Sequence, residues 1–531
     1  MTQKQRSLVG GISVLGIAGL ICKVVGVLYR IPLAHMIGPM GMALYHKVFP
    51  AYNLLLTISS AGIPVAISKM VSHHVTRGEE KNAHQIFRTA LELLSAFGLA
   101  ATVLLMAFSG SVAGWQGALE ARTGYLCIAP SLLLVCAMSA YRGYMQGRRH
   151  MMPTAVSQLI EQVGKVAVAL PLAAAGMGLG GAPWGAAGAL LGSTLGEAAA
   201  LAYMMVNHRR FENRLPGTEE DAAGLSRRAI GRTLLWTAVP ITLGACIVPL
   251  AGFIDSVMLS QLMENAGMAR DEALIRYGVY AGPVLTLINV PTALAMAMST
   301  NLVPSIAAAV SRGDRAGVAR ESGMGLRVAA VIGFPCSVGM SLLAKPILYL
   351  CYAGSYNAAQ LNVAAELLQV SSLTIVLFTM VQATSGILQG MGRQRIPMYT
   401  LLAGVALKIA LNYTLVRIPG VDIHGAPWAS LLCYTVSMLP NLYYVCKYAG
   451  YRLDVKAVIV KPLLCSLLMG AAVYGLWQAF GGAENLSRLM LLAGVVACVA
   501  AGVAVYGLAA WKTGTVKAED LPARLRRRKH S

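Results

Sequence analysis

Two cations stand seven residues apart in an otherwise apolar stretch, Cys22-Lys23-Val-Val-Gly26-Val-Leu-Tyr29-Arg30, and a third, Lys47, follows among aromatic residues. Seven residues is close to two helical turns, so Lys23 and Arg30 share nearly one face. If the apolar run from residue 9 is a helix, Lys23 lies ~21 Å into it at 1.5 Å per residue, too deep to reach easily back to the end it entered from. Several such donors around one cavity would bind a polyanion such as a diphosphate, which arginine can hold through two parallel N–H bonds. The plainer reading is a lysine snorkelling outward beside an interfacial arginine.

Other ionisable groups also interrupt apolar stretches. Glu161 and Lys165 are four residues apart, and Gln158 and Gln162 extend their stripe, while Lys408 and Asn412 repeat the spacing later in the chain. The first pair reads as an internal ion pair or packing contact, with a substrate or coupling role as the alternative. Asp255, in Gly252-Phe-Ile-Asp255-Ser-Val, either pairs with Arg270 or Arg276 or couples to a cation gradient. No catalytic residue and no metal site emerges. The 10 cysteines are scattered without a C-x-x-C pair, so neither a disulfide framework nor a metal centre follows from them.

What must position these groups is a membrane. Of the 531 residues 56% are hydrophobic and only 12% charged, and stretches such as 91 to 107 and 487 to 511 approach or exceed the length that crosses hydrocarbon. Ten-residue alternation is absent, so helices rather than a barrel are expected. About fourteen spans can be marked, at 9 to 29, 48 to 68, 90 to 113, 124 to 141, 154 to 177, 183 to 206, 234 to 257, 278 to 300, 327 to 350, 364 to 388, 398 to 416, 426 to 446, 461 to 480 and 487 to 511. An ionisable side chain inside such a span costs roughly 2.5–3.5 kcal/mol on insertion scales, so each needs a partner, a wet cavity or a function.

The formal net charge of +21 suggests nucleic acid until its distribution is read. With the N-terminus inside, Lys and Arg favour the inside segments by about four to one, the positive-inside pattern, which places both termini in the cytoplasm and excludes a nucleic-acid footprint. The first span is longer than a signal peptide's apolar core and should remain as a helix. The basic tail at 524 to 530 reads as a topological anchor, with affinity for anionic membrane lipids as the alternative.

The tetrapeptide GAPW occurs at Gly181 to Trp184 and again at Gly425 to Trp428. The stretch Met145-Gln146-Gly147 and its counterpart Leu388-Gln389-Gly390 keep the same spacing of roughly 240 residues, as do Lys165 and Lys408. The chain therefore reads as an all-α integral membrane protein with two six-helix lobes in a parallel repeat. The lobes cover 1 to 215 and 230 to 450, followed by two appended helices over 456 to 511 and a tail over 512 to 531. Lobes of this kind flank a cavity and move substrate by rocking. GAPW itself reads as a tight turn with its tryptophan at the membrane interface.

The run Ala61-Gly-Ile-Pro64-Val-Ala-Ile-Ser-Lys69, the stretches Arg142-Gly-Tyr-Met-Gln-Gly147 and Pro153-Thr-Ala-Val-Ser-Gln158, the pairs Glu161-Gln162 and Tyr277-Gly278, and Leu302-Val-Pro304 resemble the stage V sporulation protein B family. Its relatives include lipid II and oligosaccharide-repeat flippases, in a superfamily shared with multidrug and toxin extrusion exporters. The resemblance implies a twelve-helix, two-lobed core with two added helices in the bacterial cytoplasmic membrane. It also implies transfer of an undecaprenyl-diphosphate-linked saccharide between leaflets, alongside cell-wall synthesis proteins. Relatives among the lipid II flippases place a basic residue, two spacers, glycine, two spacers and a second basic residue in span one. Lys23 and Gly26 match, position 29 is Tyr29, and the second cation comes at Arg30.

Lys23, Arg30 and Lys47 are thus the expected diphosphate-binding residues, and Asp255, Glu161, Lys165 and Lys408 the candidates for coupling or intramembrane pairing. The alternative is a cation-coupled multidrug exporter, which would need acids facing the cavity in spans one and seven. A membrane glycosyltransferase would need a larger outer domain than loops of about 5 to 20 residues provide. No Walker motif is present, so no cofactor is expected, and energy would come from an ion gradient or the membrane potential.

Overall fold

The computed structural model describes residues 3–213, 225–481 and 486–515, apart from the side chains of residues 3–17 and of Leu20, Lys23, Pro240, Thr300 and Asn301. The described residues are all-helical and fall in two compact units that divide at Gly278/Val279. The first contains α1 (Gln3–Ser60), α2 (Ile63–Val75), α3 (Glu80–Ala107), α4 (Ser109–Trp115), α5 (Arg122–Ile128), α6 (Pro130–Gly147), α7 (Met152–Gly180), α8 (Ala182–Glu212), α9 (Arg227–Asn265) and α10 (Arg270–Val279). The second contains α11 (Leu285–Ser311), α12 (Arg315–Leu342), α13 (Ala344–Tyr352), α14 (Ala358–Ser372), α15 (Thr374–Gly390), α16 (Arg395–Leu415), α17 (Gly425–Ala449), α18 (Lys461–Gln478) and α19 (Arg488–Lys512).

Each of the expected spans falls on helix. Among the described residues 12 segments are long and apolar enough to cross a membrane, against the expected fourteen. Two local causes account for the difference. Expected spans one and two form one stretch, because two helices meet directly at Gly38, whose non-helical φ of 65° and following proline make a sharp kink with no loop between them. Expected span twelve is a helix, α17, but its Ser437, Pro440, Asn441, Tyr443 and Tyr444 make it less apolar than the others.

In the first unit α7 and α8 are clamped along their length by small residues. A Cβ on Gly188 would fall 2.2 Å from the Leu172 carbonyl oxygen, one on Gly192 2.2 Å from Ala169 Cα, and one on Gly196 2.7 Å from the Glu161 carbonyl oxygen. Glycine every fourth residue lets the two backbones touch, which is how helices gain contact where lipid offers no hydrophobic drive. The first GAPW makes the turn between these helices, with Gly181 at φ 69°. The second copy does not: Gly425 is helical at φ −62°, and the reversal comes a few residues earlier, where Gly420 and Asp422 take positive φ. The expectation of one turn type for both copies is corrected there; Trp184 and Trp428 are both about half exposed.

The packing boundary falls after the lobe boundary expected from the sequence, since α9 and α10 belong to the first unit. Three contacts sew α9 to the preceding helices. Arg227 pairs with Glu92 of α3 at 3.0 Å near one end. In the middle Gly62 lies so close that a Cβ would be 2.3 Å from the Ala238 carbonyl oxygen. At the other end Gln261 donates to the Trp115 carbonyl at 2.6 Å. The second unit has its own core around Leu302, Ile306, Leu326, Ala383 and Ile387. The appended pair α18 and α19 packs on α12 and α13 through Leu343, Met469, Val473 and Cys498. At the start of α11, residues Tyr280–Val284 form a π-helical turn containing Pro283, a bend of the kind proline produces when it removes a ladder donor.

Candidate anion-binding site in the first unit

The second half of α1 carries an aromatic ladder. Tyr45, Phe49 and Tyr52 stand at helical spacing, with Tyr45 and Phe49 stacked at 5.7 Å and Phe49 and Tyr52 at 6.2 Å between ring centroids. The first half of α1 brings Arg30 to 5.2 Å from the centre of the Phe49 ring. From α7, Lys165 places its ammonium 5.2 Å from the same ring and 5.4 Å from that of Tyr29. Phe49 therefore holds two cations, one from each helix. A ring quadrupole attracts a cation without neutralising it, so the rings leave the positive charge of Lys165 in place. Among the described residues no carboxylate lies within ion-pair distance of Lys165.

That arrangement overturns the expected pairing of Glu161 with Lys165. Glu161 instead accepts from Arg142 of α6 at 3.0 Å, and Arg142 also donates to Ser157 at 3.0 Å. Arginine outcompetes lysine here because its planar fork reaches a carboxylate and a hydroxyl at once. On α8 another acid, Glu197, is buried and accepts a hydrogen bond from the Tyr52 hydroxyl.

Lys47 is placed elsewhere. It is 0% exposed, and its ammonium donates to the Gln116 carbonyl at 2.9 Å, to Ser260 Oγ at 2.6 Å and to the Ser256 carbonyl, with the Tyr277 ring 4.5 Å away. Gln116 completes the knot, donating to the Lys47 carbonyl at 2.8 Å and to Ser256 Oγ at 2.9 Å, and accepting from Tyr125 at 2.8 Å. All three ammonium donors are used inside the protein, so Lys47 fastens α1 to α9 in this conformation, with no donor left for a cavity ligand. Asp255 is buried on α9 beside that knot, while Arg270 pairs with Glu120 at 2.8 Å and Arg276 with Glu272 at 2.8 Å. Lys408 is half-buried on α16 of the second unit. The Lys23 side chain and the tail beyond Thr515 lie outside the described residues.

Sequence reasoning thus selected Arg30 and Lys165 but missed what holds them. The aromatic spacing in Tyr45-His-Lys-Val-Phe49-Pro-Ala-Tyr52 was the signal available, since rings at i, i+4 and i+7 share a helix face. Gln116, Arg142 and the phenol on Glu197 carried no such pattern, because their partners are distant in sequence.

A family model described as polysaccharide biosynthesis protein matches residues 8–310, and one described as MatE matches residues 240–414. The chain is 28% identical to the lipid II flippase MurJ of Bacillus subtilis (strain 168), over 99% of each chain. It is 26% identical to stage V sporulation protein B of the same organism, over 96% of each. Among solved structures, the lipid II flippase MurJ in an inward closed conformation matches with a TM-score of 0.69 at 13% identity, covering 93% of this chain and 97% of that one. An inward-facing multidrug resistance MATE family transporter of the MOP superfamily matches with a TM-score of 0.68 at 14% identity, covering 82% and 98%. At such identities the structural likeness establishes the fold alone.

Proposed function

Because the chain belongs to the polysaccharide biosynthesis protein family, a family of membrane transporters and flippases rather than enzymes, we propose that it flips an undecaprenyl-diphosphate-linked saccharide across the bacterial cytoplasmic membrane by alternating access. The cargo would be the peptidoglycan precursor lipid II or a related cell-wall or spore-envelope unit, as the names of its relatives suggest. The observation that carries this reading is the pair Arg30 and Lys165, each 5.2 Å from the centre of the Phe49 ring.

A diphosphate entering the membrane sheds water and needs cations whose charge is not already cancelled. Lys165 has that property, and guanidinium and ammonium together offer a fork and a mobile point charge to the phosphate oxygens. The partly exposed Phe49 ring suits the apolar face of a sugar, while Tyr29 and Tyr45 are buried behind it. Binding to these groups would stabilise the loaded state, and the Lys47 knot supplies a seam that holds α1 against α9. The positive-inside pattern puts that seam on the outer side, with both termini in the cytoplasm. An outward-opening step would loosen it, driven by an ion gradient or the membrane potential, which is worth about 2.3 kcal/mol per charge per 100 mV.

Depletion of the protein in its host tests the reading. The expected result is accumulation of one undecaprenyl-diphosphate-linked saccharide on the inner leaflet. Unchanged lipid-linked precursors together with a new sensitivity to cationic drugs would instead favour the multidrug-exporter alternative.

A further inference from the structure

Glu197 is not used by the binding reading, yet it is the most enclosed acid near the cationic pair. It is 4% exposed on α8, its Oε1 accepts from Tyr52, and its Oε2 is buried without a hydrogen-bond partner. A buried carboxylate held only by neutral hydroxyl groups is an expensive arrangement when ionised, whereas a proton on its second oxygen removes the charge. The groups facing it are Tyr52 from α1, Glu161 and Lys165 from α7, and the Ser131 hydroxyl from α6, which stands next to the carboxyl group. The close crossing at Gly164 and Gly196 sets Glu197 beside the Glu161 to Lys165 segment, since a Cβ on Gly196 would sit 2.7 Å from the Lys165 backbone nitrogen. Glu161 is already neutralised by Arg142, so Lys165 is the charge that responds to Glu197.

We propose that Glu197 is a proton-binding site that controls the charge of the Arg30 and Lys165 pair. With the carboxyl protonated, Lys165 keeps its positive charge for an anionic ligand. When the proton leaves to water, the carboxylate becomes a counter-charge to Lys165 and the anion is released. By linkage the reverse holds too: an anion on Lys165 raises proton affinity at Glu197. Proton binding and cargo binding therefore favour one another. This coupling rests on the proposed cargo site, whereas the proton site itself does not.

The test uses the full-length protein in nanodiscs. A hydrophobic carbodiimide modifies buried, protonated carboxyls, and mass spectrometry locates the adduct. Labelling at Glu197 should be strong at low pH and fade as pH rises; absent or pH-independent labelling overturns the proposal. Inorganic pyrophosphate serves as the diphosphate probe. After allowance for the probe's own titration, measured on Glu197→Gln, the wild type should lose about tenfold in affinity between low and high pH. Glu197→Gln is isosteric with the protonated acid and should bind without that loss. If Glu197→Gln keeps the wild-type pH dependence, the coupling is overturned. pH-dependent labelling with no pyrophosphate binding by any variant supports the proton site and brings down the proposed cargo site instead.

Discussion

Replacing Lys47 by methionine separates two opposing effects in one knot. Methionine keeps most of the stem and removes the ammonium, leaving the Gln116 and Ser256 carbonyls and Ser260 Oγ without their donor. Each buried acceptor left bare costs about 1–3 kcal/mol, and the Ser260 hydroxyl can rotate to recover part of its share. Against this, the wild type buries a cation with no carboxylate in ion-pair range among the described residues, a desolvation penalty of several kcal/mol that methionine abolishes. The Tyr277 ring offsets that penalty by about 2 kcal/mol in a desolvated site. The balance is a net loss of about 2–4 kcal/mol for Lys47→Met. Because the knot fastens α1 to α9, the loss should fall on that seam. A thermal melt in detergent should shift down, and hydrogen exchange should rise at residues 256 to 261 and 114 to 118 before it rises elsewhere. A melt equal to or above the wild type would refute the reasoning, showing that the buried charge costs more than its hydrogen bonds return.

Other perturbations should follow the same logic. Gly188→Val drives a side chain into the Leu172 carbonyl and should abolish recovery of monodisperse protein, whereas Gly178→Ala, with nothing within 4 Å, should melt like the wild type or slightly above it. Arg142→Met strands the Glu161 carboxylate; because both side chains are partly exposed, the expected loss is about 2 kcal/mol by melting, below that for a fully buried pair. Arg227→Ala breaks an exposed pair with Glu92 and should change the melt by no more than about 1 kcal/mol. Phe49→Leu removes the ring beside both cations and should weaken pyrophosphate binding about twofold to thirtyfold, from about 0.5–2 kcal/mol of cation–π attraction.

The fold was largely legible because its signals are local: apolar length marked every span, and composition alone excluded a soluble chain. The helix count was less so, since two helices meet at the Gly38 kink with no loop between them and α17 carries several polar residues. Arg30 and Lys165 could be named from their placement in apolar runs. Their arrangement could not, because spacing along a helix gives a shared face but not the contest between partners on neighbouring helices. Glu161 and Lys165 satisfy the four-residue rule and still do not pair, since Arg142 arrives from α6 with the better geometry. Lys47 misled for a related reason: a cation near a span end looks accessible, and only the packing of Gln116 and α9 around it shows that it is enclosed.

The central claim is that Arg30 and Lys165 carry a diphosphate-linked cargo through the membrane. Its most direct test is flipping of a fluorescent undecaprenyl-diphosphate-linked saccharide by the purified protein in liposomes, compared with the Arg30→Ala/Lys165→Ala double variant. The loss of two charge-assisted contacts, about 1.5–3 kcal/mol each, predicts at least a hundredfold slower transfer by a variant that still melts near the wild type. Transfer by the double variant at the wild-type rate, or none by the wild type, would contradict the account.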